Sequence, residues 1–328
     1  MLNDRKILIT GGLGFVGSNL AHACVQAGAH VTILDNADPR SGGRRYNLHG
    51  IEDRVRLCER DICADIEDVV ADQEIIFHCA ASTSHSRSMR EPEHDLHVNC
   101  GGSLNLLQTC LKVNPQARIL YTGTSTQLGA LQHRPADEMH PQFAYDIYSS
   151  HKAAAENYFL IYARTHGLKT KSIRFANLYG PRAAINSPEF TFNNFFIGQA
   201  LQKRPVTVYG DGAQLRNLMF IEDAVQALLT AATHDHGWGE IYFATAQESL
   251  SIAEIARRIA AAMGSAGTSF IDWPAGRKNI EFGDAVISSS KLFHATGWQP
   301  RTGLDEGLAL TRAYYESCLE QYLSEKLS

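Results

Sequence analysis

Tyr148 and Lys152 stand four residues apart in YDIYSSHKAAAENY (145–158). On a helix that spacing puts phenol and ammonium on one face, where the cation stabilises a phenolate and lowers the tyrosine pKa. An oxygen so tuned works as a general base near neutral pH. Tyr145 competes for the role, but its own i+4 neighbour is Ser149, so it lacks the cation. Upstream, TGTSTQLG (122–129) sets Thr124, Ser125 and Thr126 in a row after the apolar run ILY. Hydroxyls donate or accept, so this segment offers hydrogen bonds without a carboxylate.

A second constellation opens the chain. Residues 11–17, GGLGFVG, follow the strand-like run KILIT and lead into a helical pattern. Gly11, Gly14 and Gly17 let the backbone turn tightly and approach a pyrophosphate at the helix N-terminus. Asp35 ends the next strand-like run, where a carboxylate binds both ribose hydroxyls of an adenosine and repels a 2′-phosphate. NAD is thereby favoured over NADP. Arg40, Arg44 and Arg45 follow closely and soften that preference, unless they belong to a solvated loop. Asp61 and Ile62 read equally as an adenine contact and as a helix N-cap.

These residues need elements to position them. Strand-like runs at 6–10, 30–35, 54–58, 74–78, 118–122 and 169–175 alternate with helical segments at 15–27, 64–72, 93–113 and 147–166. The alternation predicts an α/β fold with a doubly wound parallel sheet. Beyond residue 180 the pieces shorten: helices near 189–202, 222–233, 251–263 and 303–325, and a strand VTVYG. No repeat or low-complexity linker intervenes. The expected organisation is a dinucleotide-binding domain over 1–180, carrying the Tyr/Lys helix, and a smaller lobe over 181–328 interleaved with it.

A net charge of -5 over 328 residues gives no basic footprint for nucleic acid. Seven cysteines without CxxC or Cys/His spacing read as reduced core thiols, and the fourteen histidines, His85 and His151 included, suggest no metal site. MLNDRKILITGG runs directly into a strand, and no stretch of 18 apolar residues follows. No membrane association and a cytoplasmic location are expected.

GGLGFVGSNL (11–20), HCAAS (78–82), YSSHK (148–152), RFANLYGPR (174–182), VYGDGAQLRNLMFIEDAV (208–225) and GWQP (297–300) occur in an order that resembles the extended short-chain dehydrogenase/reductase superfamily, in its nucleotide-sugar epimerase/dehydratase branch. The resemblance covers essentially the whole chain. It implies a Rossmann-type domain with tightly bound NAD and a smaller lobe that closes over a nucleoside diphosphate sugar. Carried over by motif, Gly11, Gly14, Phe15, Val16, Asp35, Asn36, Asp61, Ile62, Ala80, Ala81, Ser82, Asn99, Thr122, Tyr148, Lys152 and Phe175 would line the cofactor. Asn177 and Asn194 would meet the sugar and diphosphate. Arg216 would grip the diphosphate with its guanidinium fork, unless it makes a surface ion pair with Asp211 or Glu222. The position of a second family arginine holds Glu281 here, which leaves Arg277 or Lys278 for that contact.

Within this branch the three hydroxyls carry the choice of chemistry. The 4,6-dehydratases resemble Thr-Asp-Glu or Thr-Ser-Glu at this segment, and the decarboxylases Thr-Ser-Glu, because elimination needs an acid and a base. Thr126 replaces that glutamate, and Leu128 the tyrosine of the family's tyrosine-glycine pair. The expected reaction is redox-neutral 4-epimerisation of a UDP-sugar through a transient 4-keto sugar, with Thr124, Tyr148 and Lys152 catalytic. Ser125 and Thr126 resemble hydroxyls that meet a sugar carboxylate in UDP-glucuronic acid epimerases, so a uronate is the expected sugar. Ser84, Arg87 and Arg182 are further candidates at the sugar end, the two arginines reading equally as solubilising or internally paired cations. A dehydratase, a decarboxylase, a net oxidoreductase and a non-catalytic NAD-binding regulator are the rival readings. Apolar positions at helical spacing, Leu104, Leu106, Leu107, Tyr158, Leu160 and Ile161, fit either a homodimer interface, expected by family analogy, or the monomer's own core.

Overall fold

The computed structural model describes residues 2–274 and 278–323. Its twelve strands are β1 Lys6–Thr10, β2 His30–Asp35, β3 Val55–Glu59, β4 Ile75–His78, β5 Arg118–Thr124, β6 Lys169–Phe175, β7 Asn177–Tyr179, β8 Val206–Tyr209, β9 Leu215–Phe220, β10 Glu240–Ala244, β11 Ser249–Ser251 and β12 Thr268–Ile271. Seven of them form one sheet in the order β10-β6-β5-β4-β1-β2-β3. Every pairing in it is parallel. The chain therefore has the α/β, Rossmann-type sheet that its alternating pattern predicts.

Both faces of the sheet are covered, which is why its strands read as continuous apolar runs rather than alternating ones. Ile7 and Ile9 pack on one face with Leu20 and Val25 of helix α1, Phe15–Gln26. Leu8 points to the other face, where Leu106, Leu107 and Phe159 bury against it. Order reverses beside β1, between β4 on one side and β2 on the other, and in open α/β sheets the crevice at such a point holds the ligand.

The structure differs from expectation where short elements carry weak periodicity. The stretch 64–72 is helical only over Glu67–Val70. The stretch 93–113 resolves into helices Pro92–Leu96 and Gly102–Val113 joined by a π-type turn, His97–Gly101. A helix His85–Arg90, capped by the Ser84 hydroxyl, precedes them. The closing helix breaks after Glu316 and resumes over Leu319–Leu323. The seventh sheet strand, β10, was not foreseen; it comes from beyond residue 180 and ties the C-terminal part of the chain to the sheet edge. β11, β9 and β7 make a second small sheet, and β12 pairs with β8. Among the described residues no helix is long and apolar enough to cross a membrane.

Candidate active site

One long cleft runs along the carboxyl ends of the strands. At one end lies the glycine turn. Gly11 adopts φ 69°, and a Cβ there would stand 2.6 Å from the Ala80 nitrogen, so only glycine lets β1 and β4 approach this closely. A Cβ on Gly17 would run into the Gly11 carbonyl oxygen. Helix α1 starts at this turn with no side-chain cap and no acidic residue in its first turn, leaving its N–H groups and positive dipole end for an anion.

Asp35 lies at the tip of β2, its carboxylate accepting hydrogen bonds from the backbone of Leu13 at 3.0 Å and Ala37 at 2.9 Å. Burial raises its pKa, against the pull of those two donors. Asp61 accepts from Cys63 N at 2.8 Å and from Asn36 Nδ2 at 2.9 Å while also lining the cleft, so it serves as turn acceptor and wall at once. Of the arginines behind Asp35, Arg44 is buried over the Tyr322 ring and Arg45 pairs with Glu59. Only Arg40 reaches the cleft, paired with Asp38.

The floor beneath this end is a closed polar network. Ser103 Oγ donates to Asn99 O at 2.6 Å and must therefore accept from His78 Nε2–H at 3.0 Å, which leaves Nδ1 to accept from the Thr10 hydroxyl at 2.8 Å. Asn99 clamps the Ser82 backbone on both its N–H and its carbonyl. It therefore positions the cleft wall from behind rather than lining it. A narrow turn without Cβ atoms, a free helix N-terminus and a ribose-facing carboxylate fit the pyrophosphate and adenosine of NAD.

At the other end the cleft receives Thr124, Ser125, Thr126, Tyr148, Lys152, Asn177, Asn194, Arg87 and His85. Helix Ile147–His166 supplies Tyr148 and Lys152, with Asp146 as its N-cap. It is anchored by a buried charge pair: Arg174 on β6 meets Glu156 at 2.5 Å, and Ser172 and Gln127 also donate to that carboxylate.

The expected depression of the Tyr148 phenol is not found. Burial pushes its pKa up, the Asp146 and Asp95 carboxylates add to that, and the hydrogen bond with Thr124 pulls the other way. Lys152 lies over the Tyr121 ring at 4.1 Å, and burial lowers its pKa to about 8. Desolvation is the largest cause of both shifts, and the cation–phenol attraction inferred from spacing does not figure among their causes.

Several sequence candidates lie elsewhere. Arg182 is turned from the cleft to donate to Asn19 Oδ1 at 2.9 Å, beneath the Tyr314 ring. Arg216 is buried and pairs with Glu281 at 2.8 Å, neither Asp211 nor Glu222 being its partner, and it does not line the cleft. Ser84 is buried too, accepting from Arg87 N and donating to Glu189. Arg277 lies outside the described residues. Phe15, Val16, Asn36, Ile62, Ala80, Ala81, Ser82, Thr122 and Phe175 all line the cleft with Gly11 and Gly14. Sequence reasoning gave His85 no role; in the fold it pairs with Asp146 at 2.7 Å and meets the Tyr148 ring edge-on at 4.8 Å. Sixty-one positions separate the pair, so no local spacing signals it.

A profile of the NAD dependent epimerase/dehydratase family matches residues 7–243. The UDP-glucuronic acid decarboxylase 1 of Xenopus tropicalis is 33% identical over 330 residues, 97% of this chain and 74% of that protein. The UDP-glucose 4-epimerase of Mycolicibacterium smegmatis is 29% identical over 320 residues, 95% of this chain and 99% of that one. Among solved structures, the Thermus thermophilus UDP-glucose 4-epimerase in complex with NAD superposes with a TM-score of 0.85 at 27% identity, covering 95% of this chain and 99% of that one. With its glycine turn, Asp35 and Tyr/Lys helix gathered around one cleft, this chain belongs to the NAD-dependent epimerase/dehydratase family and uses NAD.

Proposed function

We propose that the protein is a 4-epimerase of a nucleoside diphosphate sugar, a UDP-sugar and foremost UDP-glucuronic acid, working through a transient 4-keto sugar. One observation carries this reading. The carboxylates among the described residues lining the cleft are Asp35, Asp38 and Asp61, all toward the adenosine end, while Thr124, Ser125 and Thr126 face the sugar end. Dehydration and decarboxylation would call on an acid there; an epimerisation needs one proton moved and moved back. Relatives named as decarboxylase and as epimerase match the chain to similar degrees, so the choice falls on these residues.

NAD, when bound, supplies the two-electron chemistry at the sugar carbon. Tyr148 Oη takes the 4-hydroxyl proton and gives it back to the same oxygen once the configuration at C4 has inverted. Thr124 holds the sugar oxygen in either orientation, since its hydroxyl donates or accepts. Lys152 is placed to hold ribose hydroxyls of the cofactor. Ser125, Thr126 and Arg87 would hold a sugar carboxylate with neutral donors and one cation. Asn194 lines the same cleft; its Nδ2 donates to Leu178 O and Thr191 Oγ1, and its buried, unpartnered Oδ1 is an acceptor that suits a sugar hydroxyl rather than a diphosphate oxygen.

Tyr148→Phe tests the base. Turnover is expected to fall by about 10²–10⁴-fold with NAD still bound after purification. Near-normal turnover in that variant would remove Tyr148 from the mechanism.

A further inference from the structure

The His85–Asp146 pair joins two elements at the sugar end of the cleft. Helix His85–Arg90 is stitched twice to the start of the Tyr/Lys helix: His85 Nδ1 donates to Asp146 Oδ2 at 2.7 Å, and the Tyr148 backbone N–H donates to Ser88 Oγ at 3.0 Å. Asp146 is buried and caps the Tyr/Lys helix, its other oxygen accepting from Ser149 N at 2.7 Å. Burial pushes the Asp146 carboxyl pKa up, but its contacts with His85 and Ser149 outweigh that and leave it below the ordinary 3.8. The carboxylate is thus an acceptor only, and His85 carries a hydrogen on Nδ1. Fixing Nδ1 turns the far nitrogen outward. The described residues supply no hydrogen bond to Nε2, and the side chain, 29% exposed, lines the cleft with its ring edge-on to Tyr148, centroids 4.8 Å apart. An asparagine could make the Asp146 bond alone; the imidazole adds a second polar nitrogen that faces the cleft beside the proposed base.

We propose that His85 is a substrate-contacting residue whose Nε2, as the lone-pair nitrogen of a neutral imidazole, accepts a hydrogen bond from a sugar hydroxyl, foremost the one on C3 beside the reacting carbon. This contact rests on the reading of the cleft as a nucleotide-sugar site. In that reading Tyr148 and Thr124 serve the 4-oxygen, and Ser125, Thr126 and Arg87 serve the carboxylate. The hydroxyl on the neighbouring carbon then falls to an acceptor next to the Tyr148 ring. With its hydrogen held on Nδ1, the neutral ring has a lone pair to offer at Nε2 and no hydrogen. A hydroxyl can donate to it; a carboxylate has nothing to donate. His85 therefore discriminates by chemistry as well as by position, favouring a hydroxyl over a carboxylate at that place. Asp146 acts through His85, as the residue that fixes both its tautomer and the direction of its ring.

Calorimetric titration of the NAD-loaded protein at about pH 8 with UDP-glucuronic acid, UDP-glucose and UDP tests the contact. His85→Asn keeps an amide N–H where Nδ1 stands, so the bond to Asp146 and the start of the Tyr/Lys helix survive while the Nε2 acceptor is lost. Both sugar nucleotides are expected to bind this variant about three- to tenfold more weakly than the wild type, and UDP, which has no sugar to contact, equally well. Equal binding of all three nucleotides, a loss confined to one sugar nucleotide, or an equal loss for UDP overturns the contact. The first result would leave His85 a structural residue, a loss confined to UDP-glucuronic acid would make it a reader of the carboxylate, and the third would make it a support of the cleft as a whole. Wild-type protein that binds neither sugar nucleotide would overturn the nucleotide-sugar reading itself, and this contact with it.

Discussion

Asp35 is the residue on which the preference for NAD over NADP is proposed to rest. Its carboxylate is fixed by two backbone donors and closes the adenosine end of the cleft. Of the three arginines that follow it, two are engaged elsewhere and the third pairs with Asp38. A 2′-phosphate would therefore meet a negative charge with little compensation. Asp35→Asn is expected to narrow the preference for NAD over NADP by at least about tenfold, read from binding of the two reduced cofactors by fluorescence. An unchanged ratio would place discrimination in other residues. Spacing singled out Asp35 and the Tyr148/Lys152 pair through local periodicity, and all three line the one cleft. It could not foresee that burial reverses the sign of the tyrosine shift, since desolvation depends on what packs around a group.

At the scale of elements, β1 and β4 are locked under the cleft by His78, whose two ring nitrogens are both satisfied by hydroxyls. Full burial lowers its pKa from the ordinary 6.5 to about 3, with Lys152 nearby adding to the effect. The folded protein keeps this imidazole neutral while the unfolded chain protonates it below about pH 6.5. Stability from this group is therefore complete above that pH and lost as pH falls toward 3, on the order of 5 kcal/mol in all. Urea unfolding between pH 7 and 4 should show a slope that flattens in His78→Gln; equal slopes would mean that other groups govern acid unfolding. Helix His85–Arg90 and strand β10 escaped the sequence for a common reason. Both are short and held by partners far along the chain, Ser84 with Glu189 and Glu240–Ala244 with β6, so periodicity within the segment is weak.

For the whole molecule, the order of the seven-stranded sheet fixes where the site lies; the alternation of apolar runs with helical segments made the parallel sheet legible, but neither its strand order nor its edge strand β10. The placement of Arg182 and Arg216 was not legible either: their motifs survive while their side chains pair with Asn19 and Glu281. A motif specifies a backbone neighbourhood, and the direction of a long side chain is settled by its partners. Leu106 and Leu107 belong to the core, whereas Leu111 and Ile161 stay exposed on the outer helices. A homodimer formed through that face is proposed on this account, and sedimentation should give twice the chain mass; a monomer would leave those residues as ordinary surface.

A sugar end furnished with hydroxyls is proposed to return the proton and the carbon–hydrogen bond to the same sugar. Proton NMR in D2O of the purified protein, with UDP-glucuronic acid, UDP-glucose and UDP-N-acetylglucosamine and no added NAD, tests it most directly. The expected product is a C4 epimer of UDP-glucuronic acid with no deuterium in its ring. A 4-keto product, deuterium at C5 or release of carbon dioxide would contradict that proposal.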